Sequence, residues 1–365
     1  MLSLLLLTVF VQLYIHFRYL FSVLYIPARP SQDQQTLPVS IIVAARNEAH
    51  NLPDLIQALC HQTYPLYEVI VVNDRSTDDT FNLLFQKELL HKHLSSIHID
   101  QVLTAVSSKK HALSLGIAKS KYDWLLFIDA DCLPASPIWI EKMMQARNAK
   151  TEIVLGISPY KTTKGEGGAL LNAIVHYETF YTILQYIGFA IGGKPYMGVG
   201  RNLLYNKQLF VKSNGFGRFQ GVVGGDDDLF VNNIATAMNT AVCLDERGYT
   251  YSLPPTTWQS WVRQKTRHLS VGKHYKLVDK FWLGLLHASQ GLGWVLCLYN
   301  LYNLPALFIW GIRCAIVWIA YSLIIKQLQL KMPKNNIPYF DFIFPLYIFT
   351  VGIIATLRKK IKWKK

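Results

Sequence analysis

Trp124-Leu125-Leu126-Phe127-Ile128-Asp129-Ala130-Asp131 is a short apolar run that ends on two carboxylates one residue apart. Five consecutive apolar residues predict a strand buried on both faces. Ligands of open α/β sheets bind at the carboxyl ends of such strands. Two aspartates there suit a hard divalent cation, which keeps waters and bridges to a substrate's phosphates. A plain Asp-x-Asp loop is the competing reading for this stretch alone.

The neighbouring sequence repeats the pattern. Val39 to Ala45 reads as a strand ending at Arg46-Asn47-Glu48, followed by a helix from Asn51 to Cys60. Glu68 to Val72 is a second strand, ending at Asn73-Asp74-Arg75-Ser76, and Asp78 to Leu90 a second helix. Ile97 to Ile99 is a weak strand, Lys110 to Ala118 a helix, and Trp124 to Ile128 the next strand. Glu152 to Gly156 and Leu203 to Tyr205 are further strand candidates, and Ala169 to Ile187 is a long aromatic helix. Strand and helix alternate, so the expected class is α/β with a mostly parallel, Rossmann-like sheet.

The two ends of the chain have another character. Hydrophobic residues make up 51% of the 365 positions and concentrate there. Leu2 to Ile26 is long enough for a membrane-spanning anchor, and no small-x-small cleavage site comes after it. Arg18 and Arg29 on its C-terminal side orient the next domain towards the cytoplasm. Phe281 to Leu304, Ala306 to Ile325 and Tyr339 to Leu357 are three more candidates. If all three span, the basic tail from Arg358 to Lys365 ends outside, against the positive-inside rule. Phe281 to Gly293, with His287, Ser289 and Gln290, is the expected interfacial segment that would keep the tail inside. The expected organisation is an anchor at 1–27, a linker at 28–38, a cytoplasmic catalytic domain at 39–275 and a membrane region at 276–365.

The formal net charge is +14, with six basic residues in that tail. A basic cluster beside an apolar run faces anionic lipid headgroups, so nucleic acid is not an expected partner. The five cysteines form no C-x-x-C pair and give no disulfide or metal framework, which suits a reduced, cytosol-facing domain.

Glu48, Asp74 and the Asp129/Asp131 pair stand at strand ends, so a parallel sheet brings them to one crevice. Arg75-Ser76-Thr77 separate Asp74 from the next helix, which favours ligand contact over helix capping. Lys109 precedes a helix beside the same crevice and would neutralise a diphosphate; a solvated basic turn is the alternative. Gly225-Asp226-Asp227-Asp228 crowds like charges, so one acid is a candidate base with a raised pKa. Acids decorating a helix N-terminus are the alternative, and the two roles are compatible. Gln264, Arg267 and His268 share one helix face and suit a leaving diphosphate; a membrane-surface helix is the rival reading. Arg201, in the glycine-rich stretch, and the aromatics Tyr177, Tyr181 and Tyr186 are candidates for an amphipathic acceptor path. Core packing is the favoured reading of the tyrosines.

Taken together, residues 39 to 273 resemble the family 2 glycosyltransferases, which are membrane-anchored inverting enzymes with a GT-A fold. The resemblance is carried by Val39 to Glu48, Val71 to Asp78, Lys109 to Leu113, Asp129-Ala130-Asp131, Gly225-Asp226-Asp227 and Gln264 to His268. It implies that Glu48 and Asp74 contact the nucleotide. Lys109, Gln264 and Arg267 would face the diphosphate. Asp131, with Asp129, would hold Mn2+ or Mg2+. Asp226 would lie at the substrate and Asp227 would be the general base. His268 stands where the family's polysaccharide synthases carry a tryptophan that contacts the acceptor sugar. With four or fewer membrane helices, this departure points to single transfer from a nucleoside-diphosphate sugar, UDP-sugar the expected donor, to a lipid or lipid-linked acceptor at the inner membrane. A processive polysaccharide synthase and a non-catalytic nucleotide-sugar-binding scaffold are the alternatives.

Overall fold

The computed structural model describes residues 1–25, 36–101, 106–162, 168–332 and 334–357. Most of the expected linker, with Arg29, and the whole basic tail lie outside the described residues. In chain order the elements are α1 (Leu2–Arg18), β1 (Val39–Ala45), α2 (Leu52–Cys60), β2 (Tyr67–Asp74), α3 (Thr80–Leu90), β3 (Leu94–Ile99), α4 (Ser108–Lys119), β4 (Trp124–Phe127), β5 (Cys132–Pro134), α5 (Trp139–Gln145), β6 (Ile153–Leu155), α6 (Ala169–Ile191), β7 (Leu203–Asn206), α7 (Lys207–Lys212), α8 (Asp228–Ile234), β8 (Thr240–Val242), β9 (Thr250–Ser252), α9 (Trp258–Val271), α10 (Leu277–Tyr299), α11 (Leu304–Gln327) and α12 (Ile337–Leu357). They form two compact units. Among the described residues, the α/β unit holds 36–161 and 195–253, and the helical unit holds 1–25, 162–194 and 254–357. Helices α6 and α9, inside the expected 39–275 domain, thus pack with the apolar helices.

In the α/β unit seven strands run in the order β3-β2-β1-β4-β7-β6-β8. Pairs β1–β2, β2–β3, β1–β4 and β6–β8 are parallel, while β4–β7 and β6–β7 are antiparallel. The chain builds outward from β1 through β2 to β3, then returns to place β4 on the other side of β1. That reversal opens a crevice at the strand ends. Every residue of β1 is buried because both faces are covered. Ile41 and Val43 pack with Leu55, Leu59 and Trp139. On the opposite face α4 lies so close that a Cβ on Gly116 would stand 2.8 Å from Ile42 Cγ2. A separate antiparallel pair, β5–β9, begins directly after Asp131.

Among the described residues of the helical unit, four helices are long and apolar enough to cross a membrane: Leu2–Tyr25, Leu277–Tyr299, Leu304–Gln327 and Ile337–Ala355. Phe281 to Gly293, the expected interfacial stretch, lies inside the continuous helix α10. Side-chain pairs fix the helix directions. Tyr14 meets Trp282 and Thr8 lies beside Gly293, so α1 and α10 are antiparallel. Gln12 bonds Arg313 and His16 bonds Tyr321, so α1 and α11 are parallel. Trp294 packs on Phe342 while His287 packs on Phe344, so α12 runs against α10 and therefore with α11. Further along, Tyr347 stacks on Trp261 of the polar helix α9. An up-and-down fourth span would run the other way. Asp341, near the start of α12, meets Arg313 in the first half of α11, so the two helices begin towards the same end of the bundle.

The Arg313–Asp341 ion pair is fully buried. Gln12 of α1 accepts from Arg313 at 2.8 Å, and Gln290 of α10 donates to Asp341 at 2.9 Å. One polar knot thereby ties four apolar helices. A buried charge is tolerated in such surroundings only when it is paired and hydrogen-bonded.

Candidate active site

β1, β2 and β4 end along one edge because they are parallel and in register, Ile42 pairing with both Ile70 and Phe127. The chain leaves β1 through Asn47, whose φ of 54° turns it sharply. Glu48 is thereby buried. Its Oε2 accepts from Asn51 Nδ2 at 2.6 Å and its backbone N–H donates to Thr80 Oγ1 at 3.1 Å. Asp74, the last residue of β2, is 1% exposed. Arg75, at φ 53°, turns back, donating from Nε to Asp74 Oδ1 at 2.7 Å and from Nη2 to Ser108 Oγ at 2.9 Å. Among the described residues Asp74 Oδ2 is buried without a hydrogen-bond partner, an acceptor that a ligand donor would satisfy.

The first turn of α4 brings Lys109 between two carboxylates. Its Nζ is 2.8 Å from Asp129 Oδ1 and 2.9 Å from Asp226 Oδ2. Burial alone would depress this ammonium, but Asp129, Asp226 and Asp227 outweigh it and hold the pKa well above the ordinary lysine value. Lys109 is therefore a fixed positive charge.

Asp227 is the N-cap of α8: its Oδ1 accepts from Asp228 N at 2.8 Å. Its Oδ2 accepts from Gly200 N at 2.6 Å. Burial, then the neighbouring Asp226, raises its pKa, while Lys109 and the two backbone N–H groups pull it down. Capping and base chemistry are compatible here, because each carboxylate oxygen keeps a second lone pair. A small cavity joins these groups, lined by Lys109, Asp129, Gly200, Asp226 and Asp227 over an apolar wall of Ile42, Phe127, Leu203 and Tyr205.

Asp131 is exposed and the Asp129 side chain is 35% exposed, so the motif opens to solvent. Among the described residues no group of three or more His, Cys, Asp or Glu forms a self-contained metal cage. Two solvent-facing carboxylates match the donor set of a Mg2+- or Mn2+-like ion that completes its shell with water and phosphate oxygens.

The structure thus brings Lys109, Asp129, Asp226 and Asp227 together in one cavity. Glu48 and Asp74 stand at the ends of neighbouring strands. Gln264, Arg267 and His268 lie on one helix, α9, of the helical unit, where Arg267 Nη2 and His268 Nε2 are 3.4 Å apart. Tyr177, Tyr181 and Tyr186 are buried in α6, with Tyr177 against Phe340 and Tyr181 against Phe344, as core packing requires. Arg201 donates to Ser252 Oγ at 2.9 Å and stacks over Tyr160, beside β9. Arg75 gains a role that the sequence did not assign: it clamps Asp74, and only its adjacency hinted at that.

A sheet of this order, with carboxylates at the ends of β2 and β4 and a lysine bridging to a second acid loop, defines the GT-A class of transferase domain. Residues 40–212 match the family model described as glycosyl transferase family 2. The same fold occurs in a mannosyltransferase, PcManGT from Pyrobaculum calidifontis, solved in complex with GDP-Man and Mn2+. It has 16% identity and a TM-score of 0.63, covering 99% of this chain and 100% of that one. The probable glycosyltransferase YdaM of Bacillus subtilis (strain 168) is 26% identical over 253 residues, 65% of this chain and 56% of its own length. Poly-beta-1,6-N-acetyl-D-glucosamine synthase of Staphylococcus epidermidis is 29% identical over 101 residues, 28% of this chain and 23% of its own length. The chain therefore spans only part of the curated relatives it matches.

Proposed function

We propose that this protein is an inverting glycosyltransferase that moves a sugar from a nucleoside-diphosphate sugar, UDP-sugar the expected donor, to a hydroxyl of a lipid or lipid-linked acceptor. One observation carries the reading: a fixed ammonium, Lys109, shares a cavity with a buried carboxylate, Asp227, whose pKa is raised. Diphosphate departure needs the first and hydroxyl activation needs the second. Asp227 takes the acceptor's hydroxyl proton as that oxygen bonds to the anomeric carbon. The bond from that carbon to the diphosphate breaks on the opposite face, and its electron pair leaves with the nucleoside diphosphate. Lys109 offsets the charge that develops there. Asp131, with Asp129, is the pair that would hold Mn2+ or Mg2+, whose chemistry is to neutralise the leaving diphosphate. Asp74 Oδ2, unpartnered among the described residues, with Glu48 on the neighbouring strand end, suits the hydroxyl and amide donors of a nucleoside. Gln264, Arg267 and His268 are assigned to the donor diphosphate and acceptor on their motif alone.

Four apolar helices support an acceptor met at a membrane. Their directions support an orientation. α1 and α11 end, and α10 begins, on one face, which carries Arg18, Lys276, Lys280 and Lys326; the turn at 300–303 on the other face carries no charge. The positive-inside rule makes the basic face cytoplasmic. The catalytic domain comes after the α1 end on that face in the chain. Because α12 runs with α11, it also points its C-terminus to that face, and the basic tail begins there in sequence, which removes the charge conflict. In a Cys60→Ser background, Lys365→Cys should react with a membrane-impermeant maleimide only in inverted vesicles; labelling in intact cells would reverse this orientation.

The test of the function is nucleotide release by detergent-purified protein across UDP- and GDP-sugars, with and without Mn2+ and added membrane lipid. Metal-dependent release that rises with lipid is expected. A long polymer product would favour the processive synthase. Nucleotide binding without release under every condition would favour the non-catalytic scaffold.

A further inference from the structure

Beside Lys109 stands a second lysine that the proposed chemistry leaves unused. Lys110 is 0% exposed, yet among the described residues it makes no ion pair with a carboxylate. Its Nζ donates to three backbone carbonyls, Phe219 at 2.8 Å, Val222 at 2.7 Å and Gly224 at 2.6 Å. An ammonium has three donors, so its capacity is filled. Ser107 N adds a fourth stitch, donating to Gln220 O at 2.9 Å. The start of α4 therefore grips the whole segment that leads into Asp226 and Asp227.

That segment needs a grip. Gly224 and Gly225 have φ of 82° and 72°, a backbone that glycine adopts freely and that costs entropy to fix. Gly224, whose carbonyl Lys110 holds, is two residues from Asp226 and three from Asp227. Tethering it sets the depth at which both acids enter the cavity. Lysine suits the task better than arginine, because three donors on one nitrogen converge on a point while a planar guanidinium fork spreads its donors. Adjacent residues of one helical turn thus hold both parts of the site, Lys109 the carboxylates and Lys110 the loop that carries the base.

We propose that Lys110 is a positioning residue for the general base, its buried ammonium fixing the 219–224 loop so that Asp227 sits at the acceptor hydroxyl. This rests on the reading of Asp227 as base. A misplacement of about 1 Å in such a group costs on the order of 100-fold in rate.

The test uses full-length protein in detergent, with Lys110→Met, Lys110→Arg and Asp227→Asn side by side. Turnover is followed with the donor sugar that gives the fastest release, and nucleotide binding with UDP and Mn2+. Lys110→Met should lose about 10- to 100-fold in kcat, with donor KM and UDP affinity within about 3-fold of wild type. Amides of 219–227 should exchange hydrogen faster, and Lys110→Arg should recover only part of the loss. A folded Lys110→Met with wild-type kcat overturns the proposal, as does a loss of kcat with unchanged exchange in the loop. If Lys110→Met does not fold, Lys110→Arg decides: wild-type kcat there also overturns it. Wild-type kcat in Asp227→Asn would instead remove the base assignment itself.

Discussion

Asp227→Asn separates chemistry from architecture most sharply. The carboxylate accepts two backbone N–H bonds, from Gly200 at 2.6 Å and Asp228 at 2.8 Å. A carboxamide has one oxygen, so one N–H must face an NH2 group. Leaving that buried donor unmade costs about 1–3 kcal/mol. Removing the charge also relieves repulsion with Asp226, which offsets part of the cost. The folded domain should therefore survive. Loss of a general base costs about 10²- to 10⁴-fold in rate, equivalent to about 3–5 kcal/mol of barrier. Because Asp74, Lys109 and Asp131 are untouched, UDP affinity should stay within about 3-fold, given that binding and proton transfer use different groups. The assay pairs initial rates of nucleotide release at saturating donor with calorimetric UDP binding and a thermal melt. A kcat loss below about tenfold in a folded variant that binds UDP normally would refute the base assignment, since general-base loss starts at about 10². An equal loss of binding and turnover would recast Asp227 as a cap that holds the site together.

Other perturbations read the same geometry. The acid limb of kcat should lie above the ordinary aspartate range, because burial and Asp226 raise the Asp227 pKa, and Lys109→Met should move it higher by deleting the charge that lowers it; an unmoved limb in that variant would separate Lys109 from the base. With the folded pKa above the unfolded one, the stability tied to Asp227 is complete below the unfolded pKa and is lost as pH rises through the folded pKa. Asp131→Ala should weaken Mn2+-dependent binding of the nucleotide sugar while leaving the melt unchanged, because the side chain is exposed; normal activity at low Mn2+ would exclude it as a ligand. Arg313→Met should destabilise the helical unit by about 3–5 kcal/mol by stranding Asp341, and the double variant with Asp341→Asn should recover much of that in a detergent melt. No recovery would mean that the arginine acts through packing, with Trp310 beneath its guanidinium.

The central strands β1, β2 and β4 were legible in the sequence because they are buried on both faces and so read as nearly unbroken apolar runs, whereas β5, β8 and β9, three residues each, gave no such signal. β1 and β4 appear within a residue of their expected bounds. β2 extends further, to Tyr67 and Asp74, because residues with polar side chains can end a parallel strand while their backbones still pair. The candidate site residues stood out in the sequence, since charged residues at strand ends contrast with apolar runs. Their pairings did not. Lys109 bridges Asp129 and Asp226, which sit on separate loops far apart in the chain, and no local pattern encodes a contact that only folding makes. The carbonyl cage around Lys110 has no side-chain signature at all, because its partners are backbone atoms.

What the sequence determined by itself was local and periodic: alternating strands and helices, apolar stretches long enough for a bilayer, and acids and bases at the turns. Those arise from side-chain burial and backbone preference within a few residues. What only the tertiary structure decided was direction and company. The running of α12 with α11 is set by packing against α10 and by the Arg313–Asp341 pair, contacts between residues distant in sequence. The raised pKa of Asp227 likewise arises from burial and from the placing of Asp226 and Lys109 around it, because a carboxylate's charge responds to everything within a few ångströms and not to its position in the chain.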